Sequence, residues 1–453
     1  MIHKFHINGL YIVLDVNSGS IHQVDKIVYD ILDYYKDLNL KELKNKLSGE
    51  YPAEEIEEAC EELDYLVKNN LLYSQDNYEQ KGKEKKLNHD TVVKALCLHV
   101  AHDCNLRCGY CFAEEGEYHG KRSLMSFEVG KAAIDFLIKN SGNRRNLEVD
   151  FFGGEPLMNF DVVKKIVEYG RLKEKKFNKL FRFTMTTNGV LLDDEKLLYI
   201  NEHMHNLVLS MDGRKEVNDN MRKTVNGGGS YDLITSKFIK AANSRNQTGY
   251  YLRGTFTKNN LDFSKDIEHM ASLGFKQISV EPVVAAPEEP YAIAMEDVPV
   301  ICDEYEKLAV DMMNKGADYN FFHFMVDLSG GPCVYKRMAG CGAGTEYLAV
   351  TPEGDLYPCH QFVGIHSFKI GDVFNGIENT EVGERFDSLN VYSKEDCKNC
   401  WAKFYCSGGC VANAYNMNGD ITKPYEIACL LQKKRTECAI ALKAFNATAV
   451  KED

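Results

Sequence analysis

No stretch of the 453 residues reaches the ~18 consecutive apolar residues that a membrane-spanning helix needs. The opening MIHKFHINGL lacks the basic start and long apolar run of a secretory signal. A soluble cytoplasmic protein without a membrane partner is therefore expected. Positive charge is also short: 54 Lys and Arg against 67 Asp and Glu leave a formal charge of −13. That balance argues against a nucleic-acid binder that works by neutralising phosphates. The length is too great for one ordinary domain and allows two or three.

Cysteine, by contrast, is abundant. Fifteen thiols in a compartment that keeps them reduced are hard to read as disulfides. Three lie at 104–111 and eight between Cys333 and Cys429, which leaves Cys60, Cys97, Cys302 and Cys438 scattered as small buried hydrophobes. The clustered ones look like ligands. In AHDCNLRCGYC, Cys104, Cys108 and Cys111 stand at C-x3-C-x2-C after an apolar run, followed by FAEEGEYHGKRS, which suits neither a core strand nor a helix. Three soft ligands on one loop can wrap a metal centre but fall one short of a closed four-thiolate site. A structural zinc loop missing a ligand is the plainer alternative.

Along the chain, KFHINGLYIVLD and GSIHQVD read as two short strands around the turn VNSGS, followed by amphipathic helices up to about residue 69. A polar, aperiodic stretch reads as a linker, placed at 76–91. From Val92 six apolar strand candidates alternate with helical patterns: VVKALCLHVA, LEVDFFGG, FRFTMTTNG, NLVLSMDG, YYLRGTFT and QISVEPVV. That rhythm predicts an α/β fold, a parallel sheet curved into a complete or partial barrel, with chemistry at the C-terminal strand ends. From about Ala317 the pattern turns short, Gly- and Cys-rich, and a small core held by metal centres is expected. The expected divisions are 1–75, the linker, 92–316 and 317–453.

These motifs resemble the radical S-adenosylmethionine enzymes. The resemblance implies a partial (β/α)6 barrel in which Cys104, Cys108 and Cys111 hold a catalytic [4Fe-4S] cluster. Its open iron would bind S-adenosylmethionine, which is cleaved to a 5'-deoxyadenosyl radical. FFGGEP resembles the family's glycine motif, so Gly153, Gly154, Glu155 and Pro156 are expected to present backbone to the methionine amino group. TTNG, with Thr187 and Asn188, and LSMDG, with Ser210 and Asp212, end the next strands. Ser210 and Asp212 are expected at the carboxylate or ribose, or as plain turn caps. Tyr110 is expected near the adenine. Arg222 and Arg253 are candidate carboxylate or substrate anchors, or surface ion-pair partners.

The later cysteines resemble the SPASM extension of that superfamily. Cys341 and Cys359 stand in C-x12-G-x4-C with Gly354, and CKNCWAKFYCSGGC supplies Cys397, Cys400, Cys406 and Cys410 before Cys429. The resemblance implies two auxiliary [4Fe-4S] clusters, three in all. One would be held by Cys397, Cys400, Cys406 and Cys429, the other by Cys341, Cys359 and Cys410, with Cys333 either a fourth ligand or idle. The N-terminal segment resembles a winged-helix-like leader-peptide recognition element, which adds a peptide to a sheet edge. A purely structural scaffold is the alternative.

Together these features imply a maturase that forms thioether links between cysteine sulfur and backbone α-carbon in a ribosomally made, Cys-rich precursor peptide. A flavodoxin- or ferredoxin-type protein would supply electrons. One rival is a sulfatase-type maturase that makes formylglycine. Relatives of that kind carry an aspartate after the cysteine matching Cys359, where this chain has His360. Another carbon–sulfur linkage is a further alternative, as is a non-catalytic leader-binding or electron-transfer protein. The intact cysteine loop beside GGEP speaks against the last of these.

Overall fold

The computed structural model describes residues 1–83, 92–328 and 334–449. Cys333 and the second half of the expected linker, 84–91, lie outside the described residues. Among the described residues no helix is long and apolar enough to cross a membrane.

The chain opens with an antiparallel three-stranded meander of β1 (Ile2–Ile7), β2 (Leu10–Asp15) and β3 (Ile21–Val24). KFHINGLYIVLD is thus a hairpin rather than the single strand read from its apolar content. Asn8 and Gly9 both take positive φ, 51° and 80°, as the tight turns that match strand twist require. The next turn is built on Asp15, whose buried carboxylate accepts from the backbone N–H groups of Ser18 and Ser74, both at 2.9 Å.

Helices Lys26–Ile31, Leu40–Leu47 and Ala53–Lys68 follow. The second is capped reciprocally by Asn39 and Glu42. Strand alternation divides the sheet between two cores. Val13 packs with Val28, Ile31, Leu43, Ile56 and Leu63 of the N-terminal unit, whereas Ile12 and Leu14 join the main core of the molecule. The N-terminal unit is therefore built into the rest and not merely tethered.

The expected linker is structured over its first part. Asp76 accepts hydrogen bonds from Tyr392 (2.7 Å) and Lys403 (2.7 Å), and a short helix covers Glu79–Lys83. Composition could not reveal this, because polar residues satisfied by a distant partner read like solvated ones.

The central sheet contains β4 (Ala95–His102), β7 (Asn146–Gly153), β8 (Leu180–Thr187), β9 (Asn206–Ser210), β11 (Tyr250–Phe256) and β12 (Gln277–Pro282), parallel and adjacent in that order. Intervening helices, such as Phe127–Asn140 and Phe160–Phe177, pack their apolar faces into the main core. The short strands β5 (Leu106–Cys108) and β10 (Arg222–Thr224) form a separate ribbon, and β6 (Ser123–Leu124) pairs with β4. This is the partial barrel expected of the repeating strand–helix pattern.

The sheet does not stop at residue 316. β13 (Asn320–Phe321) continues it beyond β12, and β14 (Tyr347–Val350) lies parallel to β4 on the other side. β15 (Asp355–Tyr357), β16 (Gly371–Asp372) and β17 (Gly376–Ile377) extend that side antiparallel. The part expected to be a small core held by metal centres also shares the apolar core of the sheet. Leu348, Ala349, Val350 and Leu356, together with Leu431, Cys438 and Ile440 of the long helix Glu426–Ala449, belong to the main apolar core. Each fully buried Leu, Ile or Val among them is worth about 1.5–3 kcal/mol of hydrophobic stabilisation. Of the scattered cysteines, Cys60, Cys97 and Cys438 are buried and Cys302 is half-buried.

Candidate functional site

β4 ends at His102, and the chain then turns over the end of β7 to carry Cys104, Cys108 and Cys111. These three thiols line one cavity of about 170 Å³. Pairing of β5 with β10 sets the loop, with Cys108 opposite Arg222. The Arg107 guanidinium staples it further, donating to the Cys104 carbonyl (2.7 Å) and pairing with Glu115 (2.7 Å).

The glycines beneath are required by contact. A Cβ on Gly154 would overlap the Asp103 carbonyl and crowd Cys104, and one on Gly153, whose φ is 124°, would overlap the Ala101 carbonyl. Glu155 is fully buried and acts as a strut. Its carboxylate accepts from Leu157 N (3.0 Å), Thr187 Oγ1 (2.7 Å) and Asn188 N (2.8 Å), tying the end of β7 to the end of β8. Asn188 in turn donates through Nδ2 to Asn105 Oδ1 (2.8 Å) and reaches Cys104 Sγ at 3.6 Å.

Across the cavity the half-buried Tyr110 links the buried Asp212 and Arg222 in a hydrogen-bonded chain. Tyr110 OH donates to Asp212 Oδ2 (2.6 Å), and Arg222 Nη1 donates to Tyr110 OH (2.9 Å). Asp212 Oδ1 accepts from Thr255 N (3.0 Å). Arg222 Nε is buried without a hydrogen-bond partner among the described residues, a costly state unless a ligand supplies an acceptor.

Of the residues singled out in the sequence, Tyr110, Gly153, Gly154, Thr187, Asn188, Ser210 and Arg222 line the cavity. Glu155, Pro156 and Asp212 do not. Glu155 is spent on β8, Pro156 opens the short helical turn Pro156–Asn159, and Asp212 is spent on Tyr110 and β11. Burial pushes the Cys104 thiol up to about 12, with Glu155 adding to it. Cys108 is pushed up to about 11 by burial, with Arg222 opposing.

The C-terminal thiols gather in two groups. Cys397, Cys400, Cys406 and Cys429 line a cavity of about 380 Å³, the last from the helix Glu426–Ala449, Cys397 and Cys406 from the short helices Glu395–Lys398 and Lys403–Cys406, and Cys400 from the turn between those two. Cys359, pushed up to about 12 chiefly by burial, has Cys410 and Cys341 as its thiol neighbours. Lys394 stands between the groups. Burial lowers its pKa, while Cys397, Cys406, Cys410 and Cys429 oppose that, and its Nζ donates to Gly408 O at 2.8 Å. Sequence reasoning missed Lys394 and Lys403, although lysines flanking and interleaving a cysteine motif are a legible sign of thiolates needing countercharge. It also missed Asn105, which only tertiary contact marks. Among the described residues no group of three His, Cys, Asp or Glu side chains is set for a single metal ion. Thiols spread around a void suit a multi-iron cluster, whose irons, each with its own thiolate, hold the ligands apart. The donor set, the glycine cradle and the orphan Arg222 Nε together fit a cluster with an anionic co-ligand.

Residues 98–259 match the family model of the radical SAM superfamily, and residues 341–401 match SPASM, an iron–sulfur cluster-binding domain. Among curated proteins, the chain is 22% identical to the radical SAM cyclopropyl synthase TigE of Paramaledivibacter caminithermalis, over 92% of this chain and 89% of that protein. It is 24% identical to a cysteine-type anaerobic sulfatase-maturating enzyme of Clostridium novyi (71% and 88%). With the subtilosin biosynthesis protein AlbA of Bacillus subtilis it shares 25% identity (70% and 67%).

Among solved structures, anSMEcpe with bound AdoMet superposes with a TM-score of 0.66 at 20% identity, covering 78% of this chain and 96% of that one. SuiB of Streptococcus suis bound to S-adenosylmethionine gives 0.53 at 17% identity, covering 94% and 98%. SuiB has also been solved with its precursor peptide SuiA. These two likenesses speak to fold. The chain thus carries a radical SAM domain on its parallel sheet and a SPASM iron–sulfur cluster-binding domain in its thiol-rich C-terminal part.

Proposed function

We propose that the chain is a radical S-adenosylmethionine maturase that closes thioether links between a cysteine sulfur and a backbone α-carbon in a Cys-rich precursor peptide. One juxtaposition carries this reading. A three-thiol cavity at the strand ends stands with two further thiol groups, and the N-terminal sheet is stacked on the loop of one of them through His3 and Trp401. SuiB, matched over 94% of this chain, has been solved with a precursor peptide, and AlbA is named for bacteriocin biosynthesis.

In this reading Cys104, Cys108 and Cys111 hold one [4Fe-4S] cluster, Cys397, Cys400, Cys406 and Cys429 a second, and Cys341, Cys359 and Cys410 a third. When bound, the first cluster and S-adenosylmethionine supply the one-electron chemistry that hydrogen abstraction from carbon needs. Gly153 and Gly154 let ligand atoms approach the backbone. Arg222, oriented by Tyr110 and Asp212, offers its free Nε–H to a carboxylate, and Ser210 offers a hydroxyl on the same wall. The leader of the precursor adds as a strand to β3, which pairs with β2 alone among the described residues. A flavodoxin- or ferredoxin-type donor delivers electrons.

Formylglycine formation is the second reading, favoured by the sulfatase-maturating relatives. His360, where that chemistry expects an aspartate, instead packs its ring against Phe112 and Phe152. The test is anaerobic reconstitution with a synthetic leader-bearing, cysteine-rich peptide, taken from the reading frame beside this gene where that frame encodes one. Loss of two hydrogens with a blocked thiol supports the thioether, whereas an aldehyde supports the rival. Replacing Cys104, Cys108 and Cys111 by Ala should abolish cleavage of S-adenosylmethionine and leave the other clusters in place. Cleavage retained in that variant overturns the reading.

A further inference from the structure

The barrel lumen beside the thiol cavity holds a second polar group, apart from the side chains that line the cavity. On β11, Tyr250, Leu252 and Phe256 pack into the main core, so Tyr251, Arg253 and Thr255 face the opposite side of the sheet. Arg253 is in register with Ser210 on one neighbouring strand and Ser279 on the other. Ser210 lines the thiol cavity, so the Arg253 side chain leaves the sheet one strand away from that cavity, on the same face.

The natural internal partner for this guanidinium is Glu281 at the end of β12, but it is already engaged. Its Oε1 lies 3.2 Å from His323 Nε2, and its Oε2 lies 3.5 Å from Arg435 Nη1. Arg435, from the C-terminal helix, is about nine-tenths buried and is held further by Gln432 (2.8 Å). Burial would raise the Glu281 carboxyl, yet His323, Arg435 and Arg253 together hold it well below the ordinary range, so it stays an anion. His323 is lowered by burial, with Glu281 opposing and Arg435 adding to the fall. One carboxylate therefore faces two guanidiniums. Arg435 is anchored, whereas Arg253 is exposed and its guanidinium makes no hydrogen bond or ion pair with any described residue.

We propose that Arg253 is a specificity-determining anchor in the lumen that takes a carboxylate of the substrate peptide, while Arg222 serves the carboxylate of S-adenosylmethionine. A guanidinium fork fits a planar carboxylate bidentately. The carboxylate comes from an acidic side chain near the modified residue or from the peptide's C-terminus. This inference rests on the peptide-maturase reading above.

The test uses full-length, anaerobically reconstituted protein and three synthetic peptides of one length, each with a single cysteine. The first has an internal Glu and an amidated C-terminus, the second Gln and a free C-terminus, and the third Gln and an amidated C-terminus. Calorimetry should show the third binding at least tenfold more weakly than the first or the second, and which of those two binds tightly identifies the source. Arg253→Gln should erase that difference, and Arg253→Lys should restore part of it. Affinity for S-adenosylmethionine should stay within twofold in both variants. Equal binding of all three peptides by the unsubstituted protein overturns the inference. So does an Arg253→Gln variant that loses S-adenosylmethionine and peptide affinity together, because Arg253 would then belong to the nucleoside site. Failure of the unsubstituted protein to cleave S-adenosylmethionine at all would instead overturn the maturase reading.

Discussion

His3 lies flat against Trp401, with ring centroids 3.7 Å apart and planes 5° from parallel, and its Nε2 is 2.9 Å from Glu437 Oε1. The first strand of the chain is thereby seated on the loop between Cys400 and Cys406. The N-terminal sheet and the segment that carries those thiols are therefore in direct contact.

Trp401 is the only tryptophan, so its emission reports on this contact alone. His3→Ala should shift the emission to longer wavelength and cost about 1 kcal/mol, the range of a stacked ring pair. Fluorescence and denaturant unfolding measure the two effects. An unmoved emission maximum would show that the stack does not persist in solution.

Lys403 is almost fully buried between Cys400 and Cys406. It pairs with Asp76 at 2.7 Å, and its ammonium lies 4.8 Å from the Tyr392 ring centroid. Asp76→Ala should strand that cation and destabilise the protein by about 3 kcal/mol, as breaking one side of a buried pair does. Iron bound by the C-terminal part should fall with it. Combining Asp76→Asn with Lys403→Met removes both charges and should recover most of the stability. Iron analysis and thermal unfolding decide, and no recovery would mean that Lys403 acts on the cluster loop and not through Asp76.

Asp150, on the lumen face of β7, has its carboxyl pushed up to about 6 by burial, with Glu148 adding to it. A raised acid pKa favours the folded state only while the acid is protonated. The contribution is full below about pH 4 and is lost as pH rises through about 6. Asp150→Asn should therefore flatten the melting temperature between pH 4 and 6 and raise stability at pH 7 by about 2 kcal/mol. A variant less stable than its parent at pH 7 would contradict this.

Gly154→Ala would drive a methyl group into the Asp103 carbonyl and against Cys104. Loss of the first cluster's share of iron is expected, with the C-terminal share kept and the global melting temperature lowered by only a few degrees. Iron quantitation and electron paramagnetic resonance of the reduced protein check it. Full iron with full cleavage of S-adenosylmethionine would show that the loop can yield.

The strand–helix rhythm from Val92 and the cysteine spacings were legible in the sequence because both are local. Alternation marks the two faces of a strand, and three thiols within eight residues must share a loop. The glycine motif was legible for the same reason. What only the tertiary structure decided depends on contacts between distant parts of the chain. Only the fold shows that the Glu155 carboxylate ties the end of β7 to β8, and that the Asp212 carboxylate is held by Tyr110 and β11. The first residues of the supposed linker are fixed by Asp76 against residues more than three hundred positions away. The C-terminal part shares the barrel's core because β14 finds β4 as a parallel neighbour. Local pattern states which face of an element is apolar, but only the assembled fold chooses what that face meets.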